Sequence, residues 1–277
     1  MIEIPEARVI AKDLRKMILG KRIVDLRFGN KPHKFAFFHG DKETYKEAVY
    51  NKAVTEIVDR SFYVEIVIED YTLTMRDGTI IRYHDDFTSV PDNYQFLIEF
   101  EDDCYLSVTI AMYGFIGLFK TGTMDNEYYL KDINGISPLD DKFTLTYFKS
   151  LLDERTMKLS TKAFIATEQR FPGIGNGITQ DILLNAQLHP KTKMKFLTEK
   201  EIEILYQKII STINEMMEQN GRNTEKDIYG NKGNYLTKLS KNTYGKGCPK
   251  CSGEIIKENY LGGAIYYCSS CQIEKKK

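Results

Sequence analysis

The sequence lacks several features that would assign it to common classes of protein. No run of about 18 apolar residues occurs, so we predict no membrane-spanning helix. Its first residues include the charged Glu3, Glu6 and Arg8, which argues against a secretory signal and predicts a cytoplasmic protein. No internal repeat is visible. The four histidines are scattered along the chain and indicate no hydrolytic metal site: His33, His39, His84 and His189.

Charge of one sign is not in excess, since 39 Lys and Arg balance 39 Asp and Glu. The balance is nevertheless uneven along the chain. Residues 1–154 carry 19 basic and 27 acidic side chains, whereas residues 155–277 carry 20 and 12. The length of 277 residues suggests about two domains. A basic second half favours binding to a polyanion such as a nucleic acid, and a chance asymmetry between two domains is the alternative.

Cysteine is scarce, with five residues in the chain. Cys104 stands alone in strand-like sequence, and we expect it to be a small buried hydrophobic residue. The other four form two CxxC pairs with sixteen residues between them: Cys248, Cys251, Cys268 and Cys271. This spacing is typical of a four-thiolate zinc ribbon and predicts one structural zinc ion. Two redox motifs or two disulfides are the alternative, and a cytoplasmic location disfavours disulfides.

The first half of the chain combines one helix with many strands. Residues 5–19 have apolar side chains at helical spacing, and Gly20 follows as a stop. From residue 21 to about 120 the apolar period shifts to two, which indicates strands. Asp77-Gly78 lies between strand-like flanks and predicts a hairpin turn, and residues 95–109 predict a second hairpin around residues 101–103. These strands predict a β-sandwich.

The second half reads mainly as helices. Residues 139–152 and 162–170 have helical patterns, and a capping-box sequence at residues 198–201 opens a long helix to about Asn220. Residues 221–247 are rich in Asn, Gly and Lys and predict an irregular linker into the cysteine motif. The fold class is therefore expected to be α+β.

The segment Phe171-Pro-Gly-Ile-Gly-Asn176 lies between two predicted helices. Gly173 and Gly175 would let the backbone approach a ligand closely, and Asn176 is expected to cap the next helix, residues 177–187. Backbone N–H groups at a helix N-terminus form an anion site, and in a basic domain the anion would be a nucleic-acid phosphate. A tight turn with an N-cap and no ligand is the alternative.

Several motifs together resemble the formamidopyrimidine-DNA glycosylase and endonuclease VIII family. GIGNGITQDILLNAQLHP is similar to that family's helix–two-turn–helix, and CPKC…CSSCQ resembles its zinc finger. Thr243-Tyr-Gly-Lys-Gly-Cys248 resembles the lead-in to the finger, with Lys246 in place of arginine, and the segment from Glu3 to Glu6 resembles the N-terminal motif. The similarity covers the whole chain in order and is patchy in the strand region.

The resemblance implies three domains and a DNA-repair activity. The domains are a catalytic-type β-sandwich (residues 1–137), a helix–two-turn–helix domain (138–240) and a zinc finger (241–277). Such enzymes flip a damaged base out of the duplex, attack C1′ of the sugar with an N-terminal proline amine and cut the strand by elimination. The partner would be damaged or abasic duplex DNA, with RNA left open, and the protein is expected to act as a monomer.

Residue by residue, the resemblance assigns proton transfer to Glu3 and a structural role to Glu6. Lys162 and Asn176 fall on phosphate-contacting residues. Tyr113 falls on an aromatic residue that fills the hole left by the flipped base, and the four paired cysteines fall on the zinc ligands.

The sequence also departs from the family pattern. Ile2 occupies the position of the nucleophilic proline, and because a large second residue usually blocks removal of methionine, we expect Met1 to stay. Its primary amine could form a Schiff base but would lie roughly 3–4 Å from the expected place.

Phe62 replaces a phosphate-contacting lysine, and Gly263 replaces the arginine of the zinc finger. Arg76 and Ala111 replace two of the hole-filling residues. Three hypotheses follow: a glycosylase and AP lyase that uses an α-amine, a non-catalytic DNA- or RNA-binding protein, and an interaction protein in which zinc and helices are purely structural.

Overall fold

The computed structural model describes residues 2–29, 33–111 and 113–276. The chain divides into two compact units, each described here by itself. Unit 1 comprises residues up to Ile133 together with Asn220–Asn234, and unit 2 comprises Asn134–Gln219 and the chain from Tyr235 onward. The α+β fold class is confirmed. The division into domains 1–137, 138–240 and 241–277 stays a prediction.

Unit 1 begins with helix α1 (Ile4–Ile18), which follows the predicted apolar spacing. Ile10, Leu14 and Ile18 on one face of α1 are buried in the core of the unit. Pro5 lies in the first turn, where a missing N–H costs nothing, and Gly20 follows the helix with φ +84°. The other α-helices in the described part of this unit are α2 (Tyr45–Val49) and α3 (Glu127–Asn134).

Nine strands of unit 1 form two sheets that share this core, which confirms the β-sandwich. The sheets have the orders β1-β7-β8-β6 and β2-β9-β5-β4-β3, and β2 pairs with β9 in parallel while the other neighbours are antiparallel. The strands are β1 (Ile23–Phe28), β2 (Ala36–His39), β3 (Val54–Arg60), β4 (Tyr63–Ile68), β5 (Tyr71–Arg76), β6 (Thr79–His84), β7 (Phe96–Phe100), β8 (Tyr105–Ile110) and β9 (Gly114–Lys120).

The predicted hairpin at Asp77-Gly78 is wrong, because β5 and β6 belong to different sheets. Gly78 has φ +90°, and a Cβ atom there would lie 1.7 Å from the carbonyl oxygen of Tyr113. Glycine is therefore required at a corner that carries the chain between the sheets. The corner brings Asp77 beside Tyr113. The second predicted hairpin, between β7 and β8, is confirmed.

Unit 2 contains helices α4 (Leu145–Ser150), α5 (Thr161–Ala166), α6 (Asn176–Ala186) and α7 (Glu199–Glu218), followed by the antiparallel hairpin of β10 (Ile255–Tyr260) and β11 (Gly263–Cys268). The capping box at Thr198 and Glu201 is confirmed. The predicted helices 139–152 and 162–170 are shorter than expected. Thr144 caps α4, and α5 ends at Thr167, whose backbone is extended, before Glu168 and Gln169 with positive φ values.

Among the described residues, the helices include none that is both long and apolar enough to cross a membrane.

Candidate functional site

The N-terminal motif of unit 1 lies at the start of α1 and is buried. Ile2, Glu3 and Glu6 expose 3%, 1% and 5% of their surface. The backbone N–H of Glu3 donates to the Glu6 carboxylate at 3.3 Å, which closes the first turn of α1. Two carboxylates in the core require a partner, because an unpaired buried charge is strongly unfavourable. Met1, the predicted substitute nucleophile, lies outside the described residues.

Arg222 is that partner, and the sequence did not point to it. Its side chain is 2% exposed and binds Glu6 through Nη2 at 2.6 Å and Nε at 2.9 Å. Its Nη1 lies 3.5 Å from a carboxylate oxygen of Glu3. Burial alone would lower the pKa of Arg222, but the charges of Glu3 and Glu6 raise it well above its ordinary value. The guanidinium therefore stays charged and holds both carboxylates in place. We call Glu3, Glu6 and Arg222 the ion triad.

Arg222 belongs to a segment that was predicted to be an irregular linker. Gly221 has φ +87°, and a Cβ atom on Gly233 would lie 2.1 Å from the carbonyl oxygen of Gly221. The two glycines let the segment fold back closely on itself and direct Arg222 into the core of unit 1. The glycine content of residues 221–247 was visible in the sequence, but nothing in it indicated a buried ion pair across 216 positions.

A cavity of about 330 Å³ lies beside this triad; we call it cavity A. Ile2, Glu6, Asp77, Arg82 and Tyr113 contribute to its wall. Burial raises the pKa of the Asp77 carboxyl above its ordinary value. The Oδ1 atom of Asp77 is buried and has no hydrogen-bond partner within the described part of the chain. Cavity A therefore offers both acidic and basic groups next to the N-terminal motif.

The residues that depart from the family pattern in unit 1 lie near one another. The Arg76 guanidinium stacks over the rings of Phe62 and Tyr63 at 5.6 and 5.3 Å and pairs with the buried Asp132 at 3.6 Å. Ala111 and Tyr113 are exposed, on either side of a residue outside the described ranges.

In unit 2, the predicted phosphate loop opens helix α6. Gly173 has φ +83°, and the N-cap is Gly175 rather than the predicted Asn176, which is the first helical residue. Asn176 instead donates from Nδ2 to the carbonyl oxygen of Ala264 at 3.1 Å. A Cβ atom on Gly263 would lie 3.7 Å from the same amide. The loop and the tip of the β10–β11 hairpin are thus adjacent within unit 2.

Two lysines of the same unit are candidates for DNA contact: Lys162, which was assigned to a phosphate, and Lys246, which stands in the lead-in to the finger. Lys162 is 4% exposed, and its Nζ donates to the carbonyl oxygen of Tyr260 at 2.8 Å. Burial lowers the pKa of Lys162 to about 8, so its charge is sensitive to mild alkali. Lys246 is exposed in the turn that precedes the first cysteine pair. Lys162 therefore lies at the same hairpin as Asn176.

The four paired cysteines converge at one point. Their Sγ atoms all lie within 4.8 Å of one another, with separations such as 3.9 Å for Cys248–Cys271 and 3.5 Å for Cys251–Cys268. Four sulfurs at about 2.3 Å from a central Zn²⁺ ion would lie about 3.8 Å apart, so the cluster fits a metal. Gln272, 1% exposed, accepts from the N–H of Cys268 and donates to Leu188, which ties the cluster to the helical region.

Comparison with known proteins agrees with these features. Residues 135–227 match the formamidopyrimidine-DNA glycosylase H2TH domain. A formamidopyrimidine-DNA glycosylase of Lactobacillus delbrueckii subsp. bulgaricus is 28% identical, over 98% of this chain and 99% of that protein. The protein of the same name from Brevibacillus brevis is 26% identical over the same shares.

Solved structures share the fold over the whole length. A complex between the Lactococcus lactis Fpg and an abasic site containing DNA has a TM-score of 0.85 and 21% identity, covering 98% of this chain and 100% of that one. A complex of the same bacterial protein with a THF-DNA and an inhibitor has a TM-score of 0.83. The chain thus contains an H2TH domain and is similar over its whole length to formamidopyrimidine-DNA glycosylases. Its N-terminal glutamates, helix–two-turn–helix and four-cysteine cluster follow the order of the formamidopyrimidine-DNA glycosylase and endonuclease VIII family, with Ile2 at the position of the N-terminal proline.

Proposed function

We propose that the protein binds damaged or abasic duplex DNA as a monomer and acts in base excision repair. The observation that carries this proposal is the adjacency of Asn176, Lys162 and the β10–β11 hairpin in unit 2. An amide, a lysine and the N-terminus of α6 all lie at this hairpin, and each is a phosphate-binding group. The relatives named formamidopyrimidine-DNA glycosylase and the Lactococcus lactis complex with abasic DNA support the same function.

The proposed role of the four-cysteine cluster at this surface is structural. We propose that Cys248, Cys251, Cys268 and Cys271 hold one Zn²⁺ ion, which fixes the hairpin. A site with four thiolate ligands leaves no open position for substrate, so the ion supports the fold and takes no part in the chemistry.

The proposed chemistry is attack by the N-terminal α-amine on C1′ of an abasic deoxyribose. The nitrogen forms a bond to C1′, the carbonyl oxygen leaves as water, and a Schiff base results. Glu3 would accept and return protons at this sugar. Cavity A, next to Ile2, has the size expected of a ligand pocket and would receive an extruded base.

The ion triad favours a second candidate, a DNA-binding protein that does not cut. Arg222 pairs with both glutamates and holds their carboxylates in the core. Together with Ile2 at the nucleophile position, this contact is expected to make any Schiff-base chemistry slow.

Schiff-base trapping separates the two candidates. The protein is mixed with a duplex that carries one abasic site, borohydride is added, and a covalent adduct is sought on a denaturing gel. We expect a slow adduct that disappears when the α-amine is blocked and weakens in Glu3→Gln. Binding of the same duplex without an adduct would eliminate the enzyme and leave the binding protein. Failure to bind, with no salt-dependent affinity for duplex DNA or RNA, would contradict both.

A further inference from the structure

Three side chains with complementary chemistry meet in unit 1, beside the turn between β7 and β8. The Nζ of Lys21 donates to the Cys104 sulfur at 3.2 Å and lies 2.6 Å from Oδ2 of Asp102. The Cys104 thiol donates to Oδ1 of Asp102 at 3.1 Å. We call Lys21, Asp102 and Cys104 the thiol cluster. Neither the N-terminal motif nor the four-cysteine cluster includes any of these residues.

The surroundings of Cys104 are more polar than those expected of a small hydrophobic residue. Cys104 is 2% exposed, so the expectation that it is buried is confirmed. Its sulfur nevertheless contacts an amine and a carboxylate, and the Lys21 Nζ also lies 5.7 Å from the ring centroid of Tyr83. Bringing a lysine out of water costs free energy, which its contacts in the cluster offset. The fold thus places a nucleophilic nitrogen next to an oxidisable sulfur.

The backbone holds both ends of this contact in place. The N–H of Lys21 donates to the carbonyl oxygen of Ile18 at 3.2 Å, and its own carbonyl oxygen accepts from the N–H of Val54 at 2.9 Å. The carbonyl oxygen of Cys104 accepts from the N–H of Phe100 at 3.0 Å. A bond between the nitrogen and the sulfur would therefore require rotation of side-chain bonds rather than rearrangement of the backbone.

We propose that Cys104 and Lys21 form a reversible covalent crosslink when the protein meets hydrogen peroxide. The sulfur first attacks one peroxide oxygen, the O–O bond breaks, and a sulfenic acid and one water are formed. The Lys21 ammonium releases a proton to solvent, and its nitrogen then attacks the oxidised sulfur. The S–O bond breaks, the oxygen leaves as a second water with one amine hydrogen, and a sulfenamide S–N bond remains.

The electrons of this reaction balance with one peroxide for each crosslink. The sulfur is oxidised by two electrons, and the peroxide is reduced by two electrons to water. A thiol reductant reverses the reaction, because two thiols become a disulfide while the S–N bond returns to a thiol and an amine. The inference is independent of the proposed DNA-binding function.

Asp102 is placed to handle protons in the cluster, since it accepts from the thiol and pairs with the amine. Burial raises the pKa of the Cys104 thiol. Burial alone would lower the pKa of Lys21, but its hydrogen bonds to Asp102 and Cys104 raise it. Both groups therefore keep their protons at neutral pH. Because the thiolate and the neutral amine are the reactive forms, the crosslink should form faster as the pH rises.

The crosslink would join two residues that lie 83 positions apart in the chain. It would connect the segment before β1 to the turn before β8 and would constrain the unfolded chain as a disulfide does. We therefore expect the crosslinked protein to unfold at a temperature about 5–10 °C higher than the reduced protein.

The test treats the full-length protein, purified with zinc, with hydrogen peroxide and then removes the excess with catalase. Peptide mapping should find one pair of peptides joined through Lys21 and Cys104, lighter than their sum by about 2 Da for the two hydrogen atoms lost. Dithiothreitol should separate the peptides and abolish the rise in unfolding temperature. Zinc release is measured in parallel, so that oxidation of the four-cysteine cluster is recognised.

The variants separate the crosslink from simple oxidation of a thiol. Lys21→Arg keeps a cation beside Asp102, but its guanidinium does not lose a proton in proteins. This variant should stop at a sulfenic acid on Cys104, which dimedone traps, and should form no crosslink. Asp102→Asn should slow the crosslink by at least about tenfold if the carboxylate moves protons. Asp103→Asn, at the exposed neighbouring position, is the matched control and should react at the normal rate.

Three results would overturn the inference. One is a Cys104 that stays unmodified at peroxide concentrations that already release zinc. The second is conversion of Cys104 to sulfenic or sulfinic acid while the Lys21 peptide stays free. The third is a crosslink that persists in Lys21→Arg, which would assign it to another nitrogen. DNA is absent from these measurements, so none of the three results bears on the proposed function.

Discussion

The two units differ in how the polar groups of their candidate sites are paired. In unit 1 the ion triad is buried: Glu3, Glu6 and Arg222 are each at most 5% exposed and satisfy one another. In unit 2 the candidate phosphate site uses an amide, backbone groups and one buried lysine, Lys162, which binds a neutral carbonyl oxygen. The charged groups of the first site pair with one another. In the second site the charge of Lys162 faces a carbonyl oxygen and is not compensated by a carboxylate of the described residues.

This difference indicates which unit can keep its function when the nucleophilic residue at the N-terminus is replaced. A site whose charged groups already pair with one another contributes mainly to the fold and offers little attraction to an anionic ligand. A site of donors facing neutral partners gains its strongest interaction when an anion arrives. We therefore expect unit 2 to dominate DNA affinity and the triad to contribute mainly to the stability of unit 1.

The largest expected effect is loss of the cysteine cluster. Cys268→Ser, or removal of the metal by a strong chelator, should unfold the β10–β11 hairpin, since structural zinc sites contribute about 10–16 kcal/mol to folding. Circular dichroism and zinc release would follow the change. Cys104→Ser is the control, because Cys104 is buried in unit 1 outside the cluster. An intact hairpin after chelation would contradict the metal assignment.

Breaking the triad should be the next largest effect. Arg222→Met leaves two buried carboxylates without their cation and should lower the free energy of unfolding by about 3–5 kcal/mol. Arg155→Met is the matched control, since Arg155 pairs with Glu168 on the surface, and stability there should barely change. Chemical denaturation measures both.

A double variant tests whether the loss comes from charge. Arg222→Met combined with Glu6→Gln should recover part of the lost stability, because one uncompensated charge is removed. A further decrease would instead mean that packing of the Arg222 side chain accounts for the effect.

Adding a positive charge to unit 2 should increase its contribution to DNA affinity relative to that of unit 1. Gly263 can accept a side chain, because its Cβ would only touch Asn176 at 3.7 Å. Gly263→Arg should tighten duplex binding roughly tenfold at low salt and steepen the salt dependence by about one counterion. Ile273→Arg adds the same charge at an exposed position of the chain beyond the hairpin. An equal gain from both would indicate general attraction rather than a contact at Asn176.

The smallest expected effect is a pH dependence. Burial lowers the pKa of Lys162 to about 8, so its charge falls from about nine tenths at pH 7 to about one tenth at pH 9. If Lys162 binds a phosphate, duplex affinity should fall about threefold over that range. Lys162→Met should be weaker at pH 7 and flat across this range. Lys246→Met, at an exposed lysine, should lower affinity without changing the pH profile.

The sequence predicted features with a local cause. Apolar periodicity identified α1 and α7. The CxxC spacing predicted that four sulfurs converge, and the structure places them within 4.8 Å of one another. The sequence failed to predict contacts between residues or strands that lie far apart in the chain. The turn at Asp77-Gly78 has the local chemistry of a hairpin, but the partners of β5 and β6 lie elsewhere in the chain. Arg222 was missed for the same reason, since its role depends on a contact with α1 that no local pattern encodes.

The position of Arg222 also has a consequence for the order of events during synthesis. Its guanidinium pairs with a glutamate 216 residues earlier, so unit 1 begins the chain but is completed by a segment near its end. At about 5–20 residues per second, the ribosome would expose the buried glutamates roughly 10–40 s before their cation emerges. During that time the nascent N-terminal sandwich lacks one of its segments, and its two glutamates have no arginine to pair with.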